Sequence, residues 1–142
     1  MEREATATVA AGPRQAPVSH TPPSISLSLA MIEYLVNLDP DHPPTDLMLA
    51  RAGVPEDLPR LLFRADQLPR GWQDYPAPDS LALIGEKFVR DGLAPVLIVP
   101  SAVAPTENNW LLNPQHPQFQ KIELEPAEPF LYDPRLLRRS YP

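Results

Sequence analysis

Between residues 24 and 38 the apolar positions fall into two helical stripes. Ile25, Leu29, Ile32 and Val36 form one, and Leu27, Met31, Leu35 and Leu38 form the other. A helix that is apolar around most of its circumference is a buried helix. Ser24 offers a capping hydroxyl at its start, and Asp39-Pro40 stops it, because proline disfavours a helical residue before it. Glu33 sits in the middle. Its neighbours three and four residues away are Leu29, Ala30, Val36 and Asn37, so no cation of the helix can pair with it. An unpaired buried carboxylate is costly. Either the helix has a wet margin there, or Glu33 is kept for chemistry.

The remaining pattern is shorter in period. Residues 81–91 read as a second helix capped by Asp79 or Ser80, with Leu81, Ile84 and Phe88 as its buried stripe. Lys87 and Arg90 suit its C-terminal end, and Gly92 suits the position just past it. Residues 95–100 are the continuous apolar run of a buried strand. Short strands are predicted at 15–20 on an edge, at 46–51, at 60–64 and at 120–125, the last with Ile122 and Leu124 on one face. Residues 110–112 form a short apolar run, and 113–117 have turn chemistry. Before residue 24 there is little periodicity, and Pro13, Pro17, Pro22 and Pro23 exclude a helix. A few helices among short strands make an α+β domain. Residues 1–17 are expected to be poorly structured or divergent, and 18–142 to be the domain.

Composition narrows the function classes. A chain of 142 residues makes one domain with a real core. It has no cysteine, which excludes disulfides and thiolate chemistry. No apolar run approaches the ~20 residues of a membrane span, and no signal-peptide core is visible, so a cytoplasmic protein is expected. A net charge of −6 argues against direct nucleic-acid binding. His20, His42 and His116 lack metal-ligand spacing. The five glycines match no phosphate-binding fingerprint. Ser101 stands where the buried strand ends, a common place for binding residues, though position alone favours a turn serine. Asn113 and His116 read singly as turn formers, and Trp72 and Tyr75 as core or rim.

Four segments in order nevertheless resemble the RES domain, the toxin half of bacterial toxin–antitoxin systems. They are 26–36 (SLSLAMIEYLV), 68–72 (LPRGW), 99–103 (VPSAV) and 112–117 (LNPQHP), followed by a similar ending at 130–136 (FLYDPRL). The resemblance implies a compact α+β fold like that of ADP-ribosyltransferase toxins, with a mixed, mostly antiparallel sheet and a central buried helix. It implies cleavage of the nicotinamide–ribose bond of NAD by phosphorolysis or hydrolysis. NAD is then the substrate, phosphate the acceptor, and no cofactor or metal is implied. Of the arginine, tyrosine, glutamate and serine that line the family's pocket, the glutamate falls on Glu33 and the serine on Ser101, the implied catalytic pair. Arg14 stands nearest the arginine, His20 or Pro22 takes the tyrosine's place, and Arg14, His20 and Asn113 are the implied substrate-binding residues. The family's Gly-Arg-Trp-Asn-like segment is replaced here by residues 12–21, as in a truncated or divergent member, and weak or absent turnover is expected. The implied partner is an Xre-like antitoxin with a helix-turn-helix, and a homodimer is compatible with the resemblance. Two alternatives follow: an impaired relative that mainly binds its antitoxin, and an ADP-ribosyltransferase.

Overall fold

The computed structural model describes residues 27–137 together with the backbone of two strands, β1 (Ala5–Ala11) and β2 (Val18–Ser19). Helix α1 spans Leu27–Leu35 and helix α2 spans Asp79–Asp91. The other strands are β3 (Met48–Val54), β4 (Arg60–Leu62), β5 (Val96–Pro100), β6 (Asn108–Leu112), β7 (Glu123–Leu124) and β8 (Glu128–Pro129). They form two sheets. One runs β2-β1-β3-β7, with β8 also paired to β3, and all its pairings are antiparallel. The other runs β4-β5-β6, with β4 parallel and β6 antiparallel to β5. This is the α+β, mostly antiparallel architecture that the sequence predicts.

The core lies between the sheets. Ala52 and Val54 of β3 meet Val96 and Ile98 of β5 and Trp110 of β6, with Leu58 and Ile122 closing the cluster. Trp110 is fully buried, and the Arg60 guanidinium lies 4.9 Å from its ring centroid. Side chains of a strand alternate between faces. With Val96, Ile98 and Trp110 turned into the core, Leu97, Val99, Asn109 and Leu111 are left to the opposite face. The register pairs them, Leu97 with Leu111 and Val99 with Asn109. That second face, under the two helices, is where the candidate site forms.

Helix α2 follows its pattern. Phe88 is buried, Leu81 and Ile84 are half-buried, and Gly92 caps the end in the left-handed conformation (φ 57°) with its N–H on the Phe88 carbonyl. Its N-cap is Pro78 rather than Asp79 or Ser80; Asp79 instead lies in the first turn, where a negative charge suits the helix dipole. Helix α1 is buried on one side only. Leu29 and Ala30 are buried, but Ile32 and Val36 of the same predicted stripe are 41% and 53% exposed. The helix ends at Leu35, three residues before the predicted end, and the chain leaves through tighter turns in which the Asn37 side chain donates to the Glu33 carbonyl. Ser24 lies outside the described residues.

Three strand expectations shift. The pattern predicts no strand over Ala5–Ala11, yet β1 pairs with the whole length of β3, which itself runs Met48–Val54 rather than 46–51. In the predicted strand at 120–125 only Glu123–Leu124 pairs. Pro117 starts a 3-10 turn, Pro117–Lys121, which uses the preceding residues, so Ile122 is buried while Leu124 is 55% exposed. On the edge at 15–20, Val18–Ser19 is strand.

Candidate active site

Glu33 projects from the middle of α1 toward the exit of β5. Its Oε1 accepts from the Ser101 hydroxyl at 2.5 Å and from the Asn109 side-chain amide at 2.6 Å. The two donors come from residues 68 and 76 positions away in the chain. Both are neutral, and among the described residues no cation pairs with Glu33. Both converge on one oxygen, which leaves Oε2 without a partner among the described residues.

Ser101 is fully buried, and its hydroxyl is saturated. It donates to Glu33 and accepts from the backbone N–H groups of Val103 (3.2 Å) and Ala104 (2.9 Å). Its own N–H donates to the Glu107 carbonyl, which closes the loop between β5 and β6. The serine therefore acts through Glu33 by fixing its carboxylate. Asn109 comes from β6, on the face opposite Trp110. Its Oδ1 is buried without a hydrogen-bond partner among the described residues, so the amide is held by what its nitrogen does for Glu33.

Glu33 and Asn109 open onto a cavity of about 220 Å³. Leu97, Val99 and Leu111 floor it, Leu81, Ile84 and Gly85 of α2 form one wall, and Leu68 and Trp72 form another. The wall at Trp72 rests on a glycine turn. Gly71 has φ 77°, a left-handed backbone conformation that residues with a Cβ rarely adopt, so glycine suits the turn. Among the described residues no cation lines the cavity. The arrangement is one carboxylate, oriented by two neutral donors, in a largely apolar recess. Such a group, fixed in advance, stabilises positive charge that develops nearby.

The structure thus brings Glu33 and Ser101 together. It places Asn113 elsewhere: its amide donates to the Val89 carbonyl at 3.3 Å and its Oδ1 accepts from Gln115 N–H at 3.0 Å, which are the bonds of a buried turn former. His116 likewise accepts from Gln118 N–H as the cap of the 3-10 turn. Arg14 and His20 lie outside the described residues. Asn109 and Gly85 are absent from the sequence reading. The sequence shows residues 110–112 only as a short apolar run; the strand begins at Asn108, and its alternation places Asn109 on the face away from the core.

Comparison with known proteins agrees with this picture. The model of the RES domain family matches residues 24–133. A protein of Yersinia enterocolitica named Toxin Res is 37% identical over 113 residues, covering 78% of this chain and 73% of its own. A Pseudomonas putida protein of the same name is 38% identical over 109 residues, covering 75% and 72%. A Sphingobium protein named Prs ADP-ribosylating toxin is 32% identical over 120 residues, covering 81% and 73%.

Proposed function

Because this chain belongs to the RES domain family, we propose that it is a toxin that binds NAD in the cavity beside Glu33 and cleaves the nicotinamide–ribose bond. The observation that carries the reading is the Glu33 carboxylate, fixed by Ser101 and Asn109 at the edge of an apolar recess. As the bond between the ribose anomeric carbon and the ring nitrogen breaks, its electron pair leaves with nicotinamide, which departs neutral. Positive charge is left on the ribose. Glu33 stabilises that charge, which exists only in the transition state, and the oxygen of phosphate or of water then bonds to the anomeric carbon, water releasing a proton to solvent. Oε2, which has no partner among the described residues, also accepts from a ribose hydroxyl and so holds the sugar. A pyrophosphate calls for cations. Arg14, with His20, is the nearest candidate in sequence, and a chain depending on Arg14 alone turns over slowly.

The test is nicotinamide release on mixing the purified chain with NAD and phosphate. Glu33→Gln is the decisive variant. Its Oε1 keeps both hydrogen bonds, and its amide nitrogen in the place of Oε2 removes the charge together with the acceptor for the ribose hydroxyl. Release by the native chain, reduced at least a hundredfold in Glu33→Gln, is expected; equal rates would remove Glu33 from the chemistry, and no release would remove the activity. The name of the Sphingobium relative favours a second reading, transfer of the ADP-ribosyl group to a protein acceptor through the same cleavage. Label retained on protein rather than in small products would select it. An Xre-like antitoxin as the restraining partner is part of the proposal.

A further inference from the structure

Gly85 is the seventh of the thirteen residues of α2, the middle of the helix. A helix interior does not call for glycine, since alanine there is more stable. Packing does not call for it either. A Cβ on Gly85 would meet nothing within 4 Å outside its own helix. Gly71 differs, because its positive φ of 77° itself favours glycine. The space that a Gly85 side chain would enter belongs to the cavity, which Gly85 lines together with Ile84 and Trp72. Glycine therefore leaves a bare, flat stretch of helix backbone in a wall otherwise made of branched side chains. A flat ring can approach such a stretch at van der Waals distance, whereas a side chain of any size would occupy the same room.

We infer that Gly85 is a specificity-determining residue: its missing side chain reserves space for the nicotinamide ring of NAD, in the same recess as Trp72. This rests on the NAD reading above. It predicts opposite signs for stability and binding. Gly85→Ala and Gly85→Leu are compared with the native full-length chain by calorimetry. The probes are carba-NAD, whose carbocyclic sugar resists cleavage, and ADP-ribose, which is NAD without the ring. Expected are a rise in Tm of about 3 °C for Gly85→Ala, a loss of carba-NAD affinity of about threefold for Gly85→Ala and more than tenfold for Gly85→Leu, and unchanged ADP-ribose binding by both. Should Gly85→Leu fail to fold, Gly85→Ala decides alone. Unchanged carba-NAD binding, or equal losses for the two probes, would overturn the assignment while leaving the NAD reading in place. A native chain that binds neither probe would overturn both.

Discussion

Asn109 is the residue on which the geometry of the carboxylate turns. Ser101 is committed on all sides, so a change at Ser101 disturbs the loop between β5 and β6 as well as Glu33. Asn109 gives a cleaner experiment. Asn109→Leu removes one donor from Glu33 and also removes a buried oxygen that has no partner. The loss of the unpaired oxygen offsets the loss of the bond, so the urea midpoint is expected to move little. Nicotinamide release should fall about tenfold to a hundredfold in kcat with KM nearly constant, as for loss of one hydrogen bond to a charged group. Asn109→Ser, which keeps a short donor, should recover part of the rate. A variant that loses stability and activity in parallel would make Asn109 a structural residue only. The pairing of Glu33 with Ser101 was legible through the ordered family segments and not through spacing, since 68 residues separate them. Asn109 was hidden because polar residues next to a tryptophan look like loop, and only the strand's alternation reveals the face they share.

Helix α1 is fastened at its middle by the closing segment of the domain. Tyr132 donates its hydroxyl to the Met31 carbonyl at 2.6 Å, stacks with Tyr34 and meets Phe130 edge to face. Burial, with a smaller contribution from Tyr34, pushes the Tyr132 hydroxyl up to about 12. The folded chain therefore holds this proton more tightly than the unfolded one, whose tyrosines titrate near 10. The stabilisation is fully present below pH ~10 and is lost as pH rises through about 12. Tyr132→Phe should abolish that loss. Urea midpoints at pH 8 and at pH 11.5 check it: the native chain should fall further between the two than the variant, and equal falls would reject the tether. Element types were readable where one periodicity dominates. Helix α2 and strand β5 followed their patterns, because Leu81, Ile84 and Phe88 recur at helical spacing and residues 96–100 are uninterruptedly apolar. Strand β1 was not readable, since alternating alanine and threonine carry little hydrophobic contrast. The exposed half of α1 was misjudged because its two apolar stripes were both assumed to find partners.

For the whole molecule, the charge of −6 bears on the proposed partnership. A chain of that charge gains little from DNA phosphates, so in the proposed complex DNA contact is expected of the antitoxin. If the antitoxin blocks the cavity, its footprint borders Glu33 and Trp72. Co-expression with an Xre-like antitoxin should give co-elution at micromolar concentration, with NAD cleavage suppressed in the complex. Separate elution would count against that partner. Among the described residues no helix is long and apolar enough to cross a membrane.

Strand β6 puts the largest fully buried side chain of the described residues and a residue of the cavity side by side. Trp110 faces one way and Asn109 the other, and Val96 to Val99 alternate in the same manner. The floor of the cavity is thus the reverse side of the core, and it is poor material for innovation: a one-residue shift there would exchange tryptophan for asparagine. Away from Gly71 and the buried Phe88, the wall made by α2 and the turn at 68–72 carries no such obligation. Adaptation to a new base is expected to accumulate on that wall, where selection can reshape the ligand without renegotiating the fold. A saturation library scored separately for abundance and for NAD cleavage should place its activity-only substitutions on α2 and near Trp72, and its abundance losses on β5 and β6.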